Sequence, residues 1–180
     1  MKEFTRERMP FQWAIIQTDL GTALERLGEQ TSDPARLEEA ITTFREALRE
    51  LTRKHAPHQW AIIQTELGTA LQELGKGESG MAHLEEAVAA YREALQEIDR
   101  AHVPLKWAGI QNILGRALEK LGARETGTAR LEEAVEAYRE ALQEFNEERA
   151  PYYRQDAQES LERVQALLSR KAQADTSSGK

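Results

Sequence analysis

Few residues in this chain have the type and spacing that chemistry requires. The histidines are His55, His58, His83 and His102. His55 and His58 flank Pro57, so they do not share a helix face as a metal pair would. His102 sits where His55 does, one repeat later, and a place beside the last carbonyls of a helix explains it. The acidic pairs Glu38-Glu39, Glu85-Glu86 and Glu132-Glu133 recur at a fixed spacing. In the first turns of helices they suit the positive end of the helix dipole and face solvent, which is not the setting of an acid/base pair. The loop Gly75–Gly80, GKGESG, has glycines and a lysine but neither a phosphate-loop pattern nor a preceding strand. There is no cysteine, hence no disulfide, thiolate metal site or thiol nucleophile. The residues therefore predict no enzyme, no metal and no cofactor.

The recurrent residues instead define a scaffold. Trp13, Trp60 and Trp107, each followed by alanine, lie 47 residues apart, and 28 of 47 positions match between the first two periods. A period of this size marks a solenoid, in which each unit is one supersecondary element that cannot bury its apolar face alone. Trp13, Ile16, Leu20, Ala23, Leu24 and Leu27 follow steps of three and four, one face of a helix over 11–27. Pro10 suits its start and Gly28 its stop. Ser32 or Asp33 can cap a second helix with Pro34 in its first turn. That helix carries Leu37, Ala40, Ile41, Phe44, Ala47, Leu48 and Leu51 and is expected to end near His55. The next two periods repeat the scheme, with first helices over 58–74 and 105–121 and with Ser79 and Thr126 at the cap positions.

A fourth period has one helix. Ala157, Leu161, Val164 and Leu168 keep the positions of Ile16, Leu20, Ala23 and Leu27, while Arg154, Glu162 and Gln165 replace those of Trp13, Gly21 and Leu24. One face stays apolar and its neighbour turns polar, as a solvent-facing cap requires. The expected organisation is a single all-α domain, an α-α superhelix over 1–172. Its helix-turn-helix repeats cover about 10–56, 57–103 and 104–150, followed by a capping helix over 151–172 and a disordered polar tail over 173–180. Phe4, Arg6 and Arg8 precede Leu51, Arg53 and His55 by one period, so the chain reads as beginning inside the end of a further repeat. That points to a piece of a longer array.

Gly21, Gly68 and Gly115 fall mid-helix, where each costs roughly 1 kcal/mol against alanine. Their recurrence predicts a contact where only hydrogen fits, with Ala40, Ala87 and Ala134 opposite and Phe44, Tyr91 and Tyr138 filling the space between units. The tryptophans belong to the core by their place on the stripe. Gln17, Gln64 and Gln111 suit hydrogen bonds to a neighbouring helix or loop.

Leu20-Gly21 followed by Leu24, then Ala40, Phe44 and Ala47, with their equivalents, resembles the tetratricopeptide repeat family. Leucine stands for the family's usual aromatic at Leu24, Leu71 and Leu118. The 47-residue unit is longer than the family's common one and is similar to kinesin-light-chain repeats or long repeats of bacterial signalling proteins. The resemblance implies a right-handed superhelix with a concave groove lined by the first helix of each unit. By position, the groove residues are Ile15, Thr18, Asp19, Thr22 and Glu25, then Ile62, Thr65, Glu66, Thr69 and Gln72. In the third unit they are Gly109, Asn112, Ile113, Arg116 and Glu119, with Asp156, Glu159 and Arg163 extending the floor. Ile15 and Ile62 fit two roles, anchors for a partner's chain or half-buried packing residues. Asn112 and Arg116 suit a partner's carboxylate, so Arg116→Glu is expected to weaken an acidic partner without lowering the melting temperature. The threonines do not match the lysine and asparagine with which some family members clamp chaperone C-termini.

The expected function is a protein–protein interaction scaffold that takes a peptide or helical segment, as a module of a larger protein. The alternatives are a homo-oligomer assembled through an exposed N-terminal end, or a consensus-like or designed array with no natural ligand. The net charge of −7 disfavours nucleic acid and anionic membrane. No apolar run has the length of a membrane span or a signal peptide, and the expected location is cytoplasmic.

Overall fold

A computed structural model of the protein describes residues 5–77 and 80–178, the last five for backbone alone. Phe4 and the expected cap Ser79 lie outside the described residues. Among those residues the architecture is all-α, with seven helices: α1 (Pro10–Thr31), α2 (Pro34–Glu50), α3 (Pro57–Leu74), α4 (Met81–Leu95), α5 (Pro104–Arg124), α6 (Ala129–Glu144) and α7 (Pro151–Ser178). They pack as helical hairpins, α1 with α2, α3 with α4 and α5 with α6. The chain divides into two compact units, Met1–Glu97 and Ile98–Lys180. In the first, α2 packs on α3 and α1 lies along α3. In the second, α7 packs on α6 and lies along α5. This is the helical repeat architecture that the period implies.

Proline opens α1, α2, α3, α5 and α7, where its missing N–H costs nothing and its fixed φ suits the helix. Asp33 caps α2, its carboxylate accepting from the Ala35 N–H at 3.0 Å. Ser32 takes the other role and ends α1 in the left-handed conformation at φ 53°. Thr126 is not a cap, because α6 starts later: Thr128 is the residue before it, and its side chain makes no capping bond.

Glycine does different work from a stop signal. The α1 and α5 helices continue through Gly28 and Gly122, and only α3 ends at Gly75. A Cβ on Gly28, Gly75 or Gly122 would come within 2.9, 2.8 and 2.7 Å of Leu37, Leu84 and Leu131. A Cβ on Gly21, Gly68 or Gly115 would lie 2.6, 2.5 and 2.8 Å from the rings of Phe44, Tyr91 and Tyr138. Two glycines per hairpin thus let the paired helices close. The nearest atoms to the mid-helix glycines belong to the aromatic rings, not to Ala40, Ala87 or Ala134. Each ring is spent inside its own hairpin.

The second helices are shorter than their stripes suggest. The α2 helix stops at Glu50, and a turn with the Ala56 N–H on the Thr52 carbonyl leads into α3. Leu51, Ile98 and Phe145, the last apolar residue of each stripe, are buried just past the helix ends. His55 and His102 therefore lie on turns. Each bonds a residue three before it, Thr52 at 2.9 Å and Asp99, rather than helix carbonyls. Glu38-Glu39 and Glu85-Glu86 fall past the first turn of their helices. The segment before α1 repeats the same turn, with the Met9 N–H on the Thr5 carbonyl at 3.0 Å.

The capping helix keeps its expected polarity. Ala157, Leu161 and Val164 are buried while Glu162 and Gln165 are exposed. The helix extends to Ser178, past the boundary at residue 172 expected from composition.

Candidate functional site

The groove positions behave differently in the two units. In the second unit they are occupied by the protein's own charges. Asn112 Nδ2 donates to Asp156 Oδ2 at 2.9 Å, and Arg116 donates to Asp156 Oδ1 at 2.6 Å. Burial acts to raise the Asp156 pKa, but the Asn112 amide and the Arg116 guanidinium outweigh it and hold the carboxyl below its ordinary range. Arg163 grips Glu119 with two nitrogens, at 2.6 and 2.9 Å, and Tyr138 Oη donates to the same carboxylate at 2.9 Å. Arg163 also donates to Ser160 Oγ at 3.1 Å. Asn112 and Arg116 do hold a carboxylate, as their types suggest, but it is Asp156 of α7. Because Arg116 is paired with Asp156, Arg116→Glu is expected to lower stability rather than leave it unchanged. Ile113 and Gly109 are half-buried beside them, and Glu159 is exposed.

The first unit keeps the carboxylate, as Glu25, and lacks the rest of this network. Thr18, Thr22, Glu25, Phe44, Ile62, Glu66 and Thr69 stand two periods before Asn112, Arg116, Glu119, Tyr138, Asp156, Ser160 and Arg163. The threonine hydroxyls turn back onto their own helices: Thr18 to Ala14, Thr22 to Thr18, Thr65 to Ala61 and Thr69 to Thr65, at 2.9–3.1 Å. Their donors are spent, and the face they leave is smooth. Along it, Ile15, Thr18, Asp19 and Ile62, with Leu51, Gln59 and Ile63, line a cavity of about 260 Å³. Ile15 is 40% exposed, Ile62 is half-buried and Asp19 is exposed.

Glu25 is only 6% exposed. Burial, then the charges of Glu66, Glu29 and Glu73, push its carboxyl up to about 7, with Arg26 opposing weakly. Gln72, at the same position in α3, is also buried, and its Oε1 has no hydrogen-bond partner among the described residues. Glu66 is half-buried.

The tryptophans are half-buried and serve structure. Arg6, Arg53 and Arg100 lie over Trp13, Trp60 and Trp107, at 5.0, 5.6 and 4.5 Å from the ring centres. Each arginine also pairs with a glutamate 44 residues on, Glu50, Glu97 and Glu144. The stack recurs with the period, so its signal was present in the sequence. The pairing of arginine with tryptophan emerges only when the turn before each first helix is seen to fold the guanidinium over the ring. Gln64 donates to Glu93 at 2.8 Å across its own hairpin, the structural role expected of it.

Among the described residues no cluster of histidine and carboxylate groups can hold a metal ion, and no helix is long and apolar enough to cross a membrane. Helical hairpins on a fixed period, closed by glycine against an aromatic ring, define a helical repeat protein. The family model of the tetratricopeptide repeat matches residues 60–102, so that segment has the sequence of a tetratricopeptide repeat. The match spans most of the second period, and the first period shares 28 of its 47 positions. Repeats of this kind mediate protein–protein interaction. No curated protein matches the chain, and no solved structure does.

Proposed function

We propose that the protein is a cytoplasmic interaction scaffold that takes a peptide or helical segment of another protein along the face where α1 and α3 lie side by side. The cavity flanked by Ile15 and Ile62 carries this reading. Two aliphatic side chains from successive repeats, set among threonines with spent donors, offer a partner's apolar side chain a place to be desolvated. The groove positions of the second unit do not serve in the same way, since Asp156 holds Asn112 and Arg116 while Arg163 and Tyr138 hold Glu119. Binding therefore concentrates on Ile15, Thr18, Asp19, Thr22, Glu25, Ile62, Thr65, Glu66, Thr69 and Gln72. Ile15→Asp and Ile62→Asp test it. Each is expected to abolish capture of a peptide partner while helical circular dichroism stays unchanged. Binding that survives both substitutions sinks the reading.

A second reading has its own observation. On α1 the outward apolar stripe is uncovered, with Ile16, Leu20 and Leu27 at 49, 47 and 44% exposure, whereas Ile63 and Leu67 at the equivalent positions of α3 are at 2 and 5%. Such a face favours self-association. Light scattering across a concentration series separates the two: a monomer at all concentrations removes the oligomer, and tight association that Leu20→Glu abolishes supports it.

A further inference from the structure

The second unit shows what the first unit is missing. Around Glu119 the protein gathers two donors, the Tyr138 hydroxyl and the Arg163 guanidinium, with Ser160 steadying the arginine. At the same three positions around Glu25 stand Phe44, Thr69 and Glu66. The tyrosine hydroxyl is gone, the arginine has become threonine, and the serine has become a second carboxylate. Thr69 supplies nothing in exchange, since its hydroxyl donates to the Thr65 carbonyl. Glu25 is more than nine-tenths buried, and among the described residues nothing donates a hydrogen bond to its carboxylate. A buried carboxylate in that state is costly unless it is protonated or paired. The charges of Glu66, Glu29 and Glu73 raise its pKa further and Arg26 opposes them, while Glu73 is itself paired with Lys76.

We infer that Glu25 is a binding subsite, and that the partner segment meets it with an arginine side chain that pairs with Glu25 as Arg163 pairs with Glu119. The inference rests on the α1/α3 face being the docking surface and names the chemistry that face selects. Arg163 reaches Glu119 from the solvent side of α7, its own side chain 58% exposed while that of Glu119 is 14% exposed. A guanidinium arriving over the short side chain of Thr69 follows the same approach. Arginine is favoured over lysine because its planar fork meets both carboxylate oxygens at once, the geometry seen at Glu119. The aliphatic cavity beside Ile15 and Ile62 lies along the same face toward the start of α1. The preferred ligand therefore carries an arginine and an aliphatic residue on one side of a short extended or helical segment.

The test is selection from a random peptide library on the full-length protein, followed by fluorescence anisotropy on the tightest peptide. The selected sequences are expected to be rich in arginine paired with leucine, isoleucine or valine. Replacing that arginine by citrulline, or Glu25 by glutamine, is expected to weaken binding about tenfold or more, and the two changes together to cost little beyond either. Thr69→Arg, which supplies the cation from the protein itself, is expected to block the peptide while raising the melting temperature. Peptides that bind without arginine and ignore Glu25→Gln, yet are lost with Ile15→Asp, overturn the subsite and leave the docking face standing. A library that yields no binder overturns both.

Discussion

Single atoms decide much of this protein, and the mid-helix glycines show it best. The distance from Gly68 to the Tyr91 ring leaves no room for a methyl group, so Gly68→Ala is expected to destabilise by about 1–3 kcal/mol despite alanine's better helix propensity. Urea unfolding measures it; unchanged or increased stability would show that the ring can move aside. Arg116→Glu sets a second carboxylate against Asp156 and is expected to cost about 1–2 kcal/mol, a value held down by the solvent that reaches both side chains. A thermal melt reads the effect, and an unshifted melt would mean that the α5–α7 ion pair contributes nothing. Glu25 ties stability to pH. Its carboxyl titrates near 7 folded and near 4.5 unfolded, so between those values the folded state holds a proton that the unfolded state lacks. Stability is then highest below about 4.5 with respect to this group and declines as pH rises through the window, by up to about 3 kcal/mol. Asp156, held low, opposes it only at pH below the ordinary carboxylate range. Urea midpoints at pH 5 and pH 8 are expected to favour pH 5, and Glu25→Gln to flatten the difference; an equal or larger difference in the variant would refute the assignment.

At the scale of the helices, the period and the apolar steps carry most of the information. They mark every helix, because burial of one face is what stabilises each, and they mark the polar side of α7. Helix ends are less legible. Gly28 and Gly122 read as stops because glycine ends helices often, yet both serve close approach to Leu37 and Leu131. The stripe through Leu51 suggests a helix to His55, but an apolar residue on a turn can be buried as fully as one on a helix, and Leu51 is 1% exposed. Position alone placed Asn112 and Arg116 on the groove. Their partner Asp156 stays hidden in the sequence because the pairing joins helices some 40 residues apart, in a repeat that has lost most of its other signals. Comparing the units position by position recovers it, since Arg163 replaces a threonine where α7 must hold itself down. Arg163→Thr is accordingly expected to loosen α7 in particular. Hydrogen exchange would rise along α7 and not along α3; a uniform rise would place the effect elsewhere.

For the molecule as a whole, the two units divide the labour. The second closes its own polar floor and ends in a helix with a solvent-facing side. The first leaves its floor open and keeps a buried carboxylate, Glu25, with no hydrogen-bond donor among the described residues. Such a difference between copies of one repeat is what a binding face needs, because identical copies would either all be closed or all be open. Composition speaks for a scaffold, and the proposed subsite at Glu25 would give that scaffold a preference. The most direct measurement is the affinity of the full-length protein for a selected peptide, with and without Ile15→Asp. The account predicts saturable binding by the intact protein and its loss in the variant, with the circular dichroism spectrum unaltered. Binding of equal strength in the variant would contradict it.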